Sequence, residues 1–148
     1  KPHLKSIQKF KRKLKQLTKR SWSISLEERI IKLNQVIRGW INYFRIGRMK
    51  IFIDEFGQWL RHKIRVIIIK QWKKPDKIER SLKLLNRKLP YKSSDEQIYS
   101  VANSRLGLYK RTAGNVVNFL LNQDILAIRK GNRPGLVDPL AYYLSRMQ

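Results

Sequence analysis

Residue types suited to catalysis are few in this sequence and far apart. The only histidines, His3 and His62, have no acidic or cysteine ligands near them, and the chain has no cysteine at all, which argues against a zinc site. Two-metal phosphoryl transfer needs converging carboxylates, whereas the acidic pairs beginning at Asp54 and Asp95 stand at predicted helix starts, where the helix dipole explains them. The sequence contains neither the phosphate-binding loop motif G-x-x-x-x-G-K-[ST] nor the nucleophilic-serine motif G-x-S-x-G. The sequence therefore predicts no enzyme activity for this chain on its own.

Lysine and arginine are the residues that indicate a partner. The 148 residues include 34 Lys or Arg and 10 Asp or Glu, a formal net charge of +24. Such an excess repels itself in a compact state and favours a bound polyanion. No apolar run approaches the roughly 20 residues of a spanning helix, and no signal peptide is recognisable. We therefore expect nucleic acid, and no membrane, as the partner.

The first 20 residues contain nine Lys or Arg and no acid. A helical projection places a narrow apolar stripe from Ile7 to Leu17 on one side and cations on the other. Like charges four residues apart destabilise a helix unless something neutralises them, so we expect phosphate contacts, with a solvated face as the plainer alternative. The cations of this face are Lys5, Lys9, Arg12, Lys15 and Lys19.

Residues 25 to 72 predict two long helices that break at Gly47. Ser25 and Glu28 have the spacing of a capping box, and apolar residues follow at three- and four-residue steps. Gly39 faces away from that apolar arc in mid-helix, where glycine costs about 1 kcal/mol relative to alanine. A glycine at such a position usually indicates that another backbone, of protein or nucleic acid, comes close.

The second helix contains a run of β-branched residues, 66–69, for which a strand is the competing interpretation. The stretch 73–75 ends this element, and Asp76 with Glu79 predicts the start of a third helix, which ends by Pro90. Shorter helices follow. The sequence therefore predicts an all-α chain.

After residue 90 the composition changes, since residues 1–74 carry net +17 and residues 75–148 carry net +7. We expect a basic helical region over 1–90 and a small helical extension over 91–148. Ser94 with Gln97 has capping spacing, and Asp138 before a proline predicts the start of the last helix. The segment 103–111 mixes cations with Tyr109, which can stack on unpaired bases or belong to the core.

The candidate nucleic-acid-binding residues extend beyond the first helix. Arg38 and Arg61 have an alternative role, that of holding acidic partners such as Glu27 or Asp54 inside the domain. Trp22 lies in a cationic loop and is the better stacking candidate; Trp40, Trp59 and Trp72 are expected in the core. The further candidates are Arg20, Trp22, Arg38, Arg45, Arg48, Lys50, Arg61, Lys63, Arg65, Lys70, Lys73, Lys74, Arg105, Lys110 and Arg111.

A longer pattern adds a resemblance. Residues 33–44 read L-N-Q-V-I-R-G-W-I-N-Y-F, followed by W-L-R at 59–61 and K-Q-W-K-K at 70–74. This sequence resembles the maturase-specific region of group II intron reverse transcriptases, called domain X, which corresponds to the polymerase thumb. The resemblance is strongest over 25–74 and continues more weakly toward the C-terminus. It implies a thumb-like helical bundle followed by a smaller helical tail.

Proteins of that family bind their own intron RNA, help it fold for splicing and copy it into DNA during retrohoming. The resemblance implies that this chain grips group II intron RNA and an RNA–DNA duplex or target DNA. It also implies polymerase fingers and palm in the same or a companion chain, with Mg²⁺ in that region and no cofactor in this one. Neither the palm's Y-x-D-D motif nor a Cys- and His-bearing endonuclease segment occurs here.

Location and completeness are further expectations. The absence of cysteine suits a reducing compartment, and the resemblance implies a bacterial cytoplasmic or organellar protein associated with the nucleoid or with a ribonucleoprotein. Because the chain begins at Lys1 rather than Met, we expect a piece of a longer protein or a processed one.

Two other classes of basic protein remain open. A helix-turn-helix regulator would need a short recognition helix that reads the DNA major groove, and the dense basic faces suit backbone contacts better. A structural protein of an RNA–protein particle, similar to basic ribosomal proteins, would bind RNA broadly without preference for an intron.

Overall fold

The computed structural model describes residues 4–44, 48–90 and 92–147. Within these ranges the regular structure is helical, and the all-α prediction is confirmed. The helices are α1 (Leu4–Leu17), α2 (Leu26–Phe44), α3 (Lys50–Trp72), α4 (Pro75–Arg87), α5 (Asp95–Ala102), α6 (Leu108–Thr112), α7 (Asn115–Leu120), α8 (Gln123–Ala127) and α9 (Pro139–Arg146). Gly47, where we predicted the break between the long helices, lies outside the described residues.

The helices belong to two compact units. Unit 1 comprises Lys1–Arg61 and Leu126–Gln148, and unit 2 comprises His62–Ile125. The first part of α3 belongs to unit 1 and the rest to unit 2. These units differ from the predicted regions 1–90 and 91–148, because the C-terminal segment packs with the first helices; that domain division stays a prediction.

An aromatic cluster forms part of the unit 1 core. Phe10 of α1 stacks on Trp40 of α2 with ring centroids 4.4 Å apart and planes 13° from parallel. Phe56 of α3 meets Phe10 edge-on at 5.2 Å. Burying one large apolar side chain stabilises a fold by roughly 1.5–3 kcal/mol. This cluster therefore fixes α1 against α2 and the start of α3.

Two asparagines of α2 bind the C-terminal segment into unit 1. The Asn34 amide nitrogen donates to the Gly135 carbonyl at 2.9 Å, and its oxygen accepts from the Val137 N–H at 2.8 Å. The Asn42 amide nitrogen donates to the Tyr142 hydroxyl at 2.8 Å. Helix α9 packs on α2 as well. These bonds give a structural role to both asparagines of the L-N-x-x-I-R-G-W-x-N-Y-F pattern.

Gly135 is required by a close backbone approach. A Cβ atom there would lie 1.8 Å from the carbonyl oxygen of Ala127. The neighbouring Leu136 N–H donates to the Leu126 carbonyl at 2.8 Å. The backbone at Gly135 therefore packs directly against the end of α8, where a side chain at this position would collide with the Ala127 carbonyl.

Unit 2 contains the β-branched run of α3. Residues 66–69 are helical, so the strand alternative is wrong, and all four are buried. Arg65 is buried beside them, with 8 % of its surface exposed. Its Nε donates to the Leu121 carbonyl at 2.6 Å and its Nη1 to the Asn118 side chain at 3.2 Å. A cation at the carbonyl end of α7 is favourable for the helix dipole.

Three predicted helix starts are confirmed. The Ser25 hydroxyl accepts from the Glu28 N–H at 3.1 Å. Ser94 and Gln97 form a complete capping box. The Asp138 side chain accepts from the first N–H groups of α9.

The predicted start at Asp76 is wrong. Helix α4 begins one residue earlier, with Lys74 as an N-cap that makes no side-chain bond and Pro75 at the first helical position. Proline has no N–H to satisfy there, and its fixed φ already suits the helix. Asp76 lies in the first turn, where its charge complements the helix dipole.

Candidate nucleic-acid interface

A groove of about 1220 Å³ lies between α1 and α2 in unit 1. Five cations line it, and four of them belong to the predicted basic face; Lys13 was not predicted, and Lys5 of that face does not line it. Among the described residues, no acidic side chain lines the groove. The five are Lys9, Arg12, Lys13, Lys15 and Lys19.

The amphipathic sequence of α1 places four of these cations at the groove, and Lys19 follows in the loop after the helix. Phe10, Leu14 and Leu17 are buried, so the residues between them on the helix must face solvent. The five cationic side chains are exposed and make no hydrogen bond or ion pair with any described residue. Their charges are therefore available to a ligand.

None of the described α2 residues that line the groove is charged. These residues are Val36, Gly39, Trp40 and Tyr43, which lie on successive turns of α2. Tyr43 has 79 % of its surface exposed. A Cβ atom added at Gly39 would meet nothing within 4 Å. No packing contact in the described part of the chain therefore requires a glycine at this position.

Arg29 organises the loop between α1 and α2. Its Nη1 donates to the Leu17 carbonyl at 2.7 Å and the Lys19 carbonyl at 3.0 Å, and its Nη2 donates to the Trp22 carbonyl at 2.8 Å. Only 2 % of Arg29 is exposed, and this burial lowers the pKa of its guanidinium from the usual value. The residue thus positions the loop that carries Lys19 and Arg20.

Arg29 was missed at the sequence level, although a signal was present. It stands three residues after Leu26 and four before Leu33, which places it on the apolar stripe of α2. A charged residue on a buried stripe must find hydrogen-bond partners inside the protein. In this chain those partners are backbone carbonyls at the end of α1 and in the loop after it, rather than acids.

Trp22, the predicted stacking residue, is half-buried and one side of it is occupied. The guanidinium carbon of Arg29 lies 5.3 Å from the centroid of its ring. Arg20, two residues earlier, is exposed. Base stacking by Trp22 stays a prediction.

Other predicted cations of unit 1 are distributed over its surface. Arg38, Arg48 and Lys50 are exposed, and Arg61 is half-buried. Within the described residues, no ion pair joins Arg38 or Arg61 to an acid, so the alternative role proposed for them finds no support. Arg45 lies outside the described residues.

In unit 2 several predicted cations contact protein groups. Lys63 lies over the Tyr109 ring, with its Nζ 5.3 Å from the centroid, and the His62 ring meets Tyr109 edge-on at 4.2 Å. Arg111 donates from Nη1 to the Ser104 carbonyl at 3.4 Å. Tyr109 is 47 % exposed and so does not belong to the core. The exposed predicted cations of this unit are Lys70, Lys73, Lys74, Arg105 and Lys110.

Arg65 is the predicted binding residue that the structure places inside the protein. Its burial and its bonds to Leu121 and Asn118 give it a structural role in unit 2. The sequence indicated a binding role because the residues that bond to Arg65, Asn118 and Leu121, are far along the chain.

A second basic surface was not predicted. Lys77, Arg80 and Arg87 are exposed on α4, at three- and seven-residue steps that place them on one side of the helix. The next cation along, Lys83, pairs with Glu79 at 3.1 Å. The spacing itself was the available signal, since these residues lie opposite the apolar positions of the predicted third helix.

The described residues form neither a metal-binding cluster nor a membrane-spanning helix. Over the described ranges, no three His, Cys, Asp or Glu residues come together in a way that would hold a metal ion. None of the described helices combines the length and the apolar character that a membrane span requires.

A helical chain with a groove of unpaired cations has the features of a polyanion-binding domain. The family model for the group II intron, maturase-specific domain matches residues 7–85, more than half of the chain. The chain therefore belongs to this family, and the resemblance is confirmed. The matched residues run from α1 into α4 and include both sides of the groove. Among curated proteins, none matches this chain.

Family membership gives the chain a role as a group II intron maturase domain. The matched family is a maturase domain and not a catalytic polymerase domain.

Proposed function

We propose that this chain is the nucleic-acid-binding thumb and maturase module of a group II intron reverse transcriptase. It grips intron RNA during splicing and the RNA–DNA template–primer during reverse transcription and retrohoming. The observation that carries the proposal is the basic groove between α1 and α2, which lies within the region that matches the maturase family. The five groove cations have no partners among the described residues, so they are available to attract the negatively charged phosphates of an RNA backbone.

The proposal includes partners that this chain lacks. Polymerase fingers and palm, in the same or a companion chain, would supply the catalytic carboxylates and the Mg²⁺ that polymerisation requires. The module's contribution is to hold the nucleic acid, mostly through phosphates, while RNA shape and splayed bases provide selectivity.

The experiment is filter binding of this chain to three ligands across a salt series. The ligands are a group II intron RNA, a structured RNA of equal length without an intron, and duplex DNA. We expect affinity for all three to fall steeply with salt, because phosphate contacts release counterions. At the highest salt at which binding is still measurable, the intron RNA should bind most tightly.

Other outcomes favour other classes of protein. Equal affinity for both RNAs at every salt concentration indicates a general RNA-binding protein of a ribonucleoprotein particle. Preference for duplex DNA indicates a DNA-binding regulator. Absence of binding to all three ligands contradicts the proposal.

A further inference from the structure

The two sides of the α1–α2 groove differ in chemistry. The α1 side presents cations, from Lys9 at one end to Lys19 at the other. The α2 side presents the main chain at Gly39 and the exposed ring of Tyr43. A duplex carries phosphates on both of its edges, whereas a single strand can place phosphates on one side and bases on the other. The arrangement therefore suits a single strand.

The width of the groove supports the same conclusion. Stacking of Phe10 on Trp40 holds α1 and α2 in direct contact, and the axes of packed helices are about 8–10 Å apart. A depression between two such helices is too narrow to enclose a whole duplex, which is wider than the spacing of the two helix axes. One strand with its bases turned toward α2 fits this space.

Gly39 removes the obstacle to close approach on the α2 side. Its exposed main chain has open space where a side chain would begin, and no described residue fills that space. A glycine in mid-helix is unfavourable for the helix itself. No packing contact with a described residue accounts for this loss of helix stability at Gly39. A ligand that lies against the helix backbone would account for it.

We propose that the groove between α1 and α2 binds one unpaired strand of RNA, with its phosphates on the α1 cations and a base stacked on Tyr43. Gly39 lets the strand approach the α2 backbone. This inference rests on the proposed function and names the class of RNA segment that the site takes.

The test is fluorescence anisotropy of the 148-residue chain with a labelled, unstructured RNA of about eight nucleotides, within the usual site size of single-strand binders. The same sequence as an RNA duplex and as single-stranded DNA provides the comparison, at one fixed salt concentration. We expect the single-stranded RNA to bind more tightly than either, and a glutamate-rich peptide not to displace it.

Two variants examine the α2 side. Tyr43→Ala should weaken single-strand binding about 5- to 150-fold, the range that loss of one stacked base gives, while Tyr43→Phe should retain it. Gly39→Gln fills the open space with an uncharged side chain and should weaken binding at least tenfold. Its melting temperature should not fall, because glutamine is a better helix former than glycine.

Matched controls separate binding from folding. Tyr99→Ala removes another exposed tyrosine, on α5, and should leave affinity unchanged. Gly57→Ala changes the glycine of α3, where the new methyl group meets ordinary contacts at 3.4 Å or more, and should also bind like the parent chain.

Failure of this inference is distinguishable from failure of the proposed function. If both α2-side variants bind RNA like the parent chain, or if the duplex or the acidic peptide is preferred, the single-strand assignment is wrong. If the DNA strand is preferred, the assignment of that strand as RNA is wrong. The maturase proposal still stands in that case, provided the intron RNA binds selectively at high salt. If the intron RNA does not bind, both are wrong.

Discussion

The cations of the α1–α2 groove differ from three cations of unit 2, Arg65, Lys63 and Arg111, in what already contacts them. In the groove, five side chains make no ion pair or hydrogen bond with any described residue. In unit 2, Arg65 bonds to the end of α7, Lys63 lies over Tyr109 and Arg111 bonds to Ser104. The Lys and Arg residues that give the net charge of +24 are therefore not equally available to bind a ligand. The same residue types serve structure in one place and remain available for a ligand in the other.

The difference teaches that exposure and partners, rather than residue type, identify a binding cation. A charge that bonds internally contributes to stability, and its loss leaves carbonyl oxygens unsatisfied. A cation without a partner is repelled by the like charges around it, and this repulsion destabilises the fold until a bound polyanion neutralises it. Substitutions at the two kinds of site should thus change different measured quantities.

The largest expected effect on stability is that of Arg65→Met. The change removes the bonds to the Leu121 carbonyl and the Asn118 side chain from a buried site, and should lower the free energy of unfolding by about 3 kcal/mol. Urea denaturation followed by circular dichroism measures it. Arg12→Met, at an exposed groove position whose side chain makes no bond to a described residue, is the control and should change stability by less than about 0.5 kcal/mol. Equal effects would contradict the distinction between the two kinds of cation.

Asn34→Ala should have the next largest effect. It removes both hydrogen bonds that attach the Gly135–Val137 backbone to α2, and should cost about 2 kcal/mol of unfolding free energy. Gln35→Ala, at the exposed neighbouring position, is the matched control. The C-terminal segment should also become more susceptible to limited proteolysis in Asn34→Ala alone. Unchanged protection would mean that this segment is not held by α2.

Gly39→Ala should change stability in the opposite direction. The new methyl group enters open space, and alanine is favoured over glycine in a helix by about 1 kcal/mol, so the free energy of unfolding should rise. A fall in thermal stability would show that an internal contact requires the glycine, which would remove the reason to assign Gly39 to a ligand.

The smallest effect concerns pH. The pKa of His62 is lowered by burial first, and then by the charges of Arg65 and Lys63. Because the unfolded chain binds a proton more readily, near the ordinary pKa of about 6.5, stability should decrease as the pH falls below that value. His62→Gln should reduce this loss between pH 7 and pH 5. The comparison is made between variants, since carboxylates also titrate toward the lower end. Identical pH profiles would contradict the lowered pKa.

Local features of the fold were predictable from the sequence, and long-range ones were not. The capping box at Ser94 and the amphipathic α1 depend on residues a few positions apart, where helix geometry applies directly. The run at 66–69 was ambiguous, since a buried helix and a buried strand share its apolar pattern. The start of α4 was misplaced because an acidic spacing was weighted above the preference of Pro75 for the first helical position.

The candidate site was predictable in part for the same reason. The basic face of α1 follows from one helix, so four of the five groove cations were identified. The attachment of the tail by Asn34 joins residues 101 positions apart, and the burial of Arg65 depends on α7. Neither follows from local spacing. Arg29 was overlooked because its partners are backbone carbonyls, which no charge pattern indicates.

The measurement that tests the central claim most directly compares two triple charge reversals. One is Lys9, Arg12 and Lys15 each changed to Glu in the α1–α2 groove, and the other is Lys77, Arg80 and Arg87 each changed to Glu on α4. Both alter the net charge equally and both use exposed helix positions. Affinity for the intron RNA is measured across a salt series, with folding checked by circular dichroism.

We expect the groove variant to lose about 100-fold in affinity and to show a salt slope reduced by about 2, the value for three lost contacts to a single strand. The α4 variant should lose much less. Equal losses in the two variants would mean that net charge alone attracts the RNA, and a larger loss in the α4 variant would place the main contact in unit 2. Either result would contradict the assignment of the intron-binding site to the α1–α2 groove.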